Sequence, residues 1–206
     1  MRWIFDIENP IMHYVIKIFD CMCLSVLWLL FSIPVITAGA ATTALYATIY
    51  HYIRKEEGHL WRTFWGAFRE NLKRSTLLWL VVLAVAALLA VDVLVFRTMA
   101  LNGEPLGKLY WLILVLCGVA VTWVVYLFAY AARFQGKVRD VLRVSITLIL
   151  VHPLKTLIVF VLVAVGILLA AMVPGLLTIL PAGICLVASM IMEGIFALHL
   201  RQTESK

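Results

Sequence analysis

Five long apolar runs constrain this chain more than any other feature of it, at about 18–36, 75–96, 109–132, 154–173 and 176–198. Each is close to the length a helix needs, at about 1.5 Å per residue, to cross a hydrocarbon core of roughly 30 Å. Inside hydrocarbon a segment must satisfy its own backbone N–H and C=O groups, and for runs of this kind that means helices. Hydrophobic residues make up 65% of the 206 and charged residues only 14%, which excludes an ordinary soluble domain. The sequence predicts an all-α, polytopic protein forming a single membrane domain over 1–206, with about five transmembrane helices.

The net charge of +6 does not point to nucleic acid, because the cations lie between apolar runs rather than on a soluble basic face. Anionic lipid headgroups are their expected counter-charge. Cys21, Cys23, Cys117 and Cys185 all fall inside apolar segments without C-x-x-C spacing, so they read as small buried thiols. The first twenty residues mix Trp3, Phe5, Tyr14 and Phe19 with charges of both signs, an interfacial lead-in without the positive start of a cleaved leader.

Between the first two runs lies an elbow, 37–74. Pro34 removes a backbone donor and Gly39 adds freedom, so a break is expected there, with Thr37 placed to cap a new helix. On a helical wheel 38–53 gathers Leu45, Ile49, Tyr52 and Ile53 on one arc and Gly39, Ala40, Thr43, Ala47, Tyr50 and His51 on the other. Small residues admit a second helix closely, and Thr43 and Tyr50 can hydrogen-bond across the contact; helix packing is preferred here to a ligand groove.

After the polar turn 54–58, residues 59–74 form a second pattern. Leu60, Trp61, Phe64, Trp65, Ala67, Phe68 and Leu72 share an arc, opposite Arg62, Arg69, Glu70, Lys73 and Arg74. Such a helix lies in the headgroup plane or docks a partner protein through the same chemistry. One or two amphipathic helices of this kind are expected on the cytoplasmic face. The second would fall in the connection 133–153, where 137–151 reads equally as a surface helix or as the tilted start of the fourth span.

Thirteen Lys and Arg residues fall on one side of the expected topology: Arg54, Lys55, Arg62, Arg69, Lys73 and Arg74, then Arg133, Lys137, Arg139, Arg143 and Lys155, then Arg201 and Lys206. Only Arg2, Lys17, Arg97 and Lys108 fall on the other. The positive-inside rule places the thirteen in the cytoplasm, with the amino terminus outside and the carboxyl terminus inside. The strings RENLKRSTLL at 69–78 and RDVLRVSITL at 139–148 also align at an offset of 70 residues, a weak sign of internal duplication.

No enzyme motif is present: no phosphate-cradling glycine loop, no G-x-S-x-G, no H-E-x-x-H. His13, His51, His59, His152 and His199 lack the spacing of helical metal ligands, so neither metal nor cofactor is expected. Two carboxylates stand inside apolar runs, Asp92 and Glu193, and ionisable groups there are functional candidates by default. Glu193 is expected to pair with Lys155, and Asp92 to be a solvated charge near a helix end.

Residues 27–80, with P-V-I-T-A-G-A-A-T-T-A-L-Y from Pro34, E-E-G from Glu56 and F-W-G-A-F-R-E-N-L-K from Phe64, closely resemble the signature region of the YesL-like family. These are bacterial integral membrane proteins with a domain of unknown function. His152-Pro153-Leu154-Lys155-Thr156-Leu157 and the span pattern extend the resemblance over nearly the whole chain. Genes of the family often neighbour carbohydrate-uptake ABC transporters and polysaccharide-degrading enzymes. The resemblance thus implies a non-enzymatic accessory role in sugar import, possible partners being carbohydrate ABC transporter subunits, with no catalytic residues to carry over. The candidate interaction surface is Arg62, Arg69, Lys73, Trp61, Trp65, Thr43 and Tyr50. A permease acting alone, with Glu193, Lys155 and Asp92 as its polar residues, is the rival reading, and an intramembrane enzyme a weaker one.

Overall fold

A computed structural model describes the backbone of residues 10–204 and the side-chain environment of 15–196. The interfacial lead-in before Pro10, Arg2, His13 and the tail cations Arg201 and Lys206 lie outside these limits. Among the described residues seven α-helices follow one another: α1 (Pro10–Ser32), α2 (Ala38–Thr48), α3 (Leu60–Leu101), α4 (Leu109–Arg133), α5 (Val138–Val151), α6 (Pro153–Met172) and α7 (Leu180–Glu204). The described residues contain no strand. This is an all-α polytopic membrane architecture, and four segments are long and apolar enough to cross a bilayer: Val15–Ser32, Leu60–Leu101, Pro105–Arg133 and Pro153–Met172. In the run expected at 176–198, a tight 3-10 turn over Pro174–Thr178 comes first. The apolar helix that follows, Leu180–Phe196, is shorter than the four.

The break at Pro34 is found as expected, as a 3-10 turn over Val35–Thr37. Thr37 does stand at the N-cap of α2, but its hydroxyl donates backwards, to the carbonyls of Phe31 (2.7 Å) and Pro34 (2.9 Å), and closes the turn instead of capping the helix. From there α2 returns alongside α1. Trp28 Nε1 donates to Thr42 Oγ1 (3.1 Å), Tyr52 Oη to Asp20 (3.1 Å), and Lys17 pairs with Glu56 (2.8 Å), an order of contacts that makes the two helices antiparallel.

Helix α2 is the centre of the bundle, and it is packed by α1, α3, α4 and α7. Both wheel arcs are buried, including Leu45 and Ile49 from one and Gly39, Ala40, Thr43, Ala47 and Tyr50 from the other. The first half of the elbow is therefore a core helix rather than a surface one. Its small residues explain this. A side chain on Gly39 would place its Cβ 2.6 Å from Trp79 Cβ and 2.8 Å from the Ser75 carbonyl, so only glycine lets α3 approach so closely. One turn on, Thr43 Oγ1 shares a buried 2.8 Å hydrogen bond with Ser75 Oγ.

The second half of the elbow also differs from expectation. No separate surface helix precedes the second span: α3 runs unbroken for 42 residues, about 63 Å at the helical rise, roughly twice the hydrocarbon core. Its length lets it cross the core and carry its first four charged turns beyond. Phe64 and Phe68 are buried, and the Phe31 ring packs on both at 5.7 and 5.0 Å. The open question at 137–151 is answered by His152, whose φ of −122° and ψ of 61° are not helical. With Pro153 opening α6, α5 is a helix of its own.

Candidate functional site

The chemistry of this molecule gathers where α2, the start of α3, the end of α4 and α7 meet. Helix α2 does not end regularly: Ile49–Arg54 form a π-helical turn, a rare geometry that often marks functional sites. Beyond it Glu56 adopts φ 58° and Gly58 φ 83°, the left-handed region that a glutamate occupies only at a cost. The wide turn re-aims Tyr50, His51 and Arg54. Tyr50 lies buried beneath a cluster of cations, with Arg133 Cζ 3.8 Å from its ring centroid, Lys55 Nζ at 5.0 Å and Arg54 Cζ at 6.0 Å.

Arg133, the last residue of α4, also answers Glu193. Its Nε lies 2.9 Å from Glu193 Oε1, with both side chains mostly buried, and the contact is a close ion pair rather than an aligned hydrogen bond. Tyr46 Oη adds a 3.4 Å hydrogen bond to the same carboxylate oxygen, and Arg54 donates to the Ser189 carbonyl on α7 at 3.0 Å. The expected partner is thus corrected: Glu193 pairs with Arg133, not with Lys155. Lys155 is half-buried nearby, its Nζ 3.9 Å from where a Cβ on Gly194 would stand. Pairing by nearness to the start of the fourth span missed Arg133 because the end of α4, three helices away in sequence, is brought to the same place.

Beside this cluster a cleft of about 540 Å³ opens between α3, the end of α4 and the π turn. One stripe of α3, Arg62, Gly66, Glu70 and Arg74, each a turn from the next, forms its long wall. Arg74 is spent on structure: its guanidinium donates to the carbonyls of Ala131 and Phe134 at the end of α4 and to Asn71. A helix end leaves its last carbonyls without intrahelical donors, and Arg74 supplies one for Ala131 and one for Phe134 just beyond. Glu70 accepts from Gln135 (2.8 Å), and Glu57 sits 3.6 Å from His51. Within the π turn itself, burial and then the Asp20 carboxylate of α1 raise the Tyr52 phenol above its usual range, so it stays a donor at neutral pH.

The remaining predicted residues are dispersed. Thr43 serves the α2–α3 contact inside the bundle, bonded to Ser75 and to the Gly39 carbonyl (3.0 Å). Asp92 is half-buried on α3 and takes part in no ion pair among the described residues. Trp61, Trp65, Arg69 and Lys73 form a second stripe along α3, next to the cleft wall, and all four are exposed. On the helical wheel both tryptophans fall on the greasy arc. In the structure the buried stripe is Phe64 and Phe68, and Trp61 and Trp65 remain 55% and 38% exposed, their rings stacked 6.2 Å apart within 3° of parallel.

Comparison with known proteins finds two likenesses. Residues 21–93, from α1 well into α3, match the model of a protein family of unknown function, DUF624. The chain is also 26% identical over 164 residues to a Bacillus subtilis (strain 168) protein described as "Uncharacterized protein YesL", covering 76% of this chain and 75% of that one. No solved structure matches it.

Proposed function

Because the chain belongs to the YesL-like, DUF624 family of membrane proteins, we propose that it is a non-enzymatic accessory component of a bacterial plasma membrane, working beside carbohydrate uptake systems of the ABC type. The observation that carries this reading is the exposed stripe Trp61–Trp65–Arg69–Lys73. Two stacked tryptophans left partly exposed beside cations are the composition of an interface hot spot, where aromatic and basic side chains dominate binding. The stripe sits on the part of α3 that exceeds the length needed to cross the bilayer, with Arg62 on the neighbouring cleft wall. The carbohydrate connection rests on the family resemblance. In this reading the thirteen-cation side faces the cytoplasm, and Lys17, counted opposite those cations in the sequence, meets Glu56 beside them, so the start of α1 lies on their side as well; a reporter fused to the carboxyl terminus then signals from the cytoplasm, and an external signal contradicts that orientation.

The test is affinity capture of the tagged chain in mild detergent. Carbohydrate transporter subunits are recovered with the native sequence and are lost when Arg62, Arg69 and Lys73 are changed to Glu. Recovery that ignores the charge reversals removes the stripe as the docking surface.

A permease acting alone is the second reading, favoured by the Glu193–Arg133 pair with Tyr46 among apolar helices. It requires sugar uptake by the purified chain in liposomes, abolished by Glu193→Gln or Asp92→Asn. The accessory reading requires no uptake without partners.

A further inference from the structure

Charge is badly unbalanced around Tyr50. Arg54, Lys55 and Arg133 converge on its ring, and Lys155 lies beside Gly194, next in the chain to Glu193. Glu193 is the carboxylate in contact with this group, and it is engaged by Arg133. Arg54 is bonded to a neutral carbonyl, Ser189 O, and Lys55 has the Tyr50 ring as its contact. Glu57 is turned to His51 and Glu70 to Gln135. Three cations gathered on one ring, with Glu193 engaged by Arg133 and Glu56 by Lys17, repel one another, and a protein keeps such an arrangement where an anion completes it.

We propose that the cations around Tyr50 form a binding site for a phosphate-bearing anion, either the phosphodiester of an anionic lipid headgroup or a soluble phosphate ester. Arg54 and Lys55 are exposed, and Arg133, partly exposed, lines the open cleft, so the group is accessible from outside. A tetrahedral phosphate offers oxygens in several directions and bridges planar guanidinium and point-like ammonium groups together, whereas a carboxylate is matched by one guanidinium. The π turn makes the convergence possible, because it carries Tyr50 and Arg54 in its six residues and delivers Lys55 directly after them. The site is independent of the accessory reading, since it uses none of the Trp61–Lys73 stripe.

The full chain in nanodiscs provides the test. One arm compares phosphatidylcholine discs with discs containing phosphatidylglycerol; the other adds glycerol 3-phosphate to phosphatidylcholine discs, against sodium chloride at equal ionic strength. The unfolding temperature is the readout. A saturable rise in the lipid arm alone assigns the headgroup, a rise in the soluble arm alone assigns a free phosphate ester, and a rise in both supports the shared chemistry. Lys55→Gln and Arg54→Gln each weaken the response about tenfold, the loss expected for one charge-assisted contact, while Arg139→Gln on α5 leaves it unchanged. No rise in either arm overturns the proposal. So does an equal loss with Arg139→Gln, which marks a diffuse attraction of any cation to any anion.

Discussion

Helix α2 and the first four turns of α3 come from one stretch of sequence between the same two apolar runs, yet the first is buried on every side and the second on one. In α2 the residues that face neighbours are Gly, Ala and Thr, so four helices can close around it and cover its larger side chains as well. The first turns of α3 offer Phe64 and Phe68 to that core and leave Trp61, Trp65, Arg69 and Lys73 outside. Residue size, more than polarity, separates the two. A helix whose polar face is also its small face is pulled inside, and a helix whose polar face carries long cations stays half wet.

If that is the reason, the largest effect should come from adding bulk to α2. Gly39→Ala is expected to lower stability by about 3 kcal/mol, at the upper end for overpacking, because Trp79 Cβ and the Ser75 backbone cannot swing away. The matching change on α3, Gly66→Ala, meets open space and is expected to stabilise by up to about 1 kcal/mol. Unfolding in detergent measures both, and equal effects would erase the distinction. Glu193→Ala follows at roughly 3 kcal/mol, since it strands Arg133 in a mostly buried place. By contrast, removing the charge of Lys17 from its more exposed pair with Glu56 costs under about 1 kcal/mol. Ser75→Ala is smaller, about 0.5 to 1 kcal/mol, because Thr43 keeps its bond to the Gly39 carbonyl. Trp61→Ala comes last: stability stays within about 0.5 kcal/mol of native while capture of the partner falls.

Much of this was legible in the residues. Run length and the need to satisfy backbone groups in lipid were enough for the helical membrane class, Pro34 for the break, and His152-Pro153 for an irregular entry to α6. The periodicity of 59–74 places Phe64 and Phe68 on the apolar arc, but it could not tell lipid or a partner from the chain's own core as the cover, and Trp61 and Trp65, on the same arc, are left exposed. The π turn had no signal in composition. Arg133 closes an apolar helix and looks like an ordinary terminal cation until the fold brings α7 to it. Glu193 was recognisable as a costly charge; its partner was not, because the choice depended on which helix ends meet. The two similar strings also diverge in context: Ser75 bonds Thr43 on α2, while Ser145 accepts from Trp123 on α4, at 3.0 Å.

The division between an inward α2 and an outward α3 is tested most directly by a photo-crosslinking amino acid placed in cells at Trp65 and, separately, at Ala44. At Trp65 the expected product is an adduct with a carbohydrate transporter subunit, and at Ala44 only links within the chain. An intermolecular adduct from Ala44, or none from Trp65, would contradict that division.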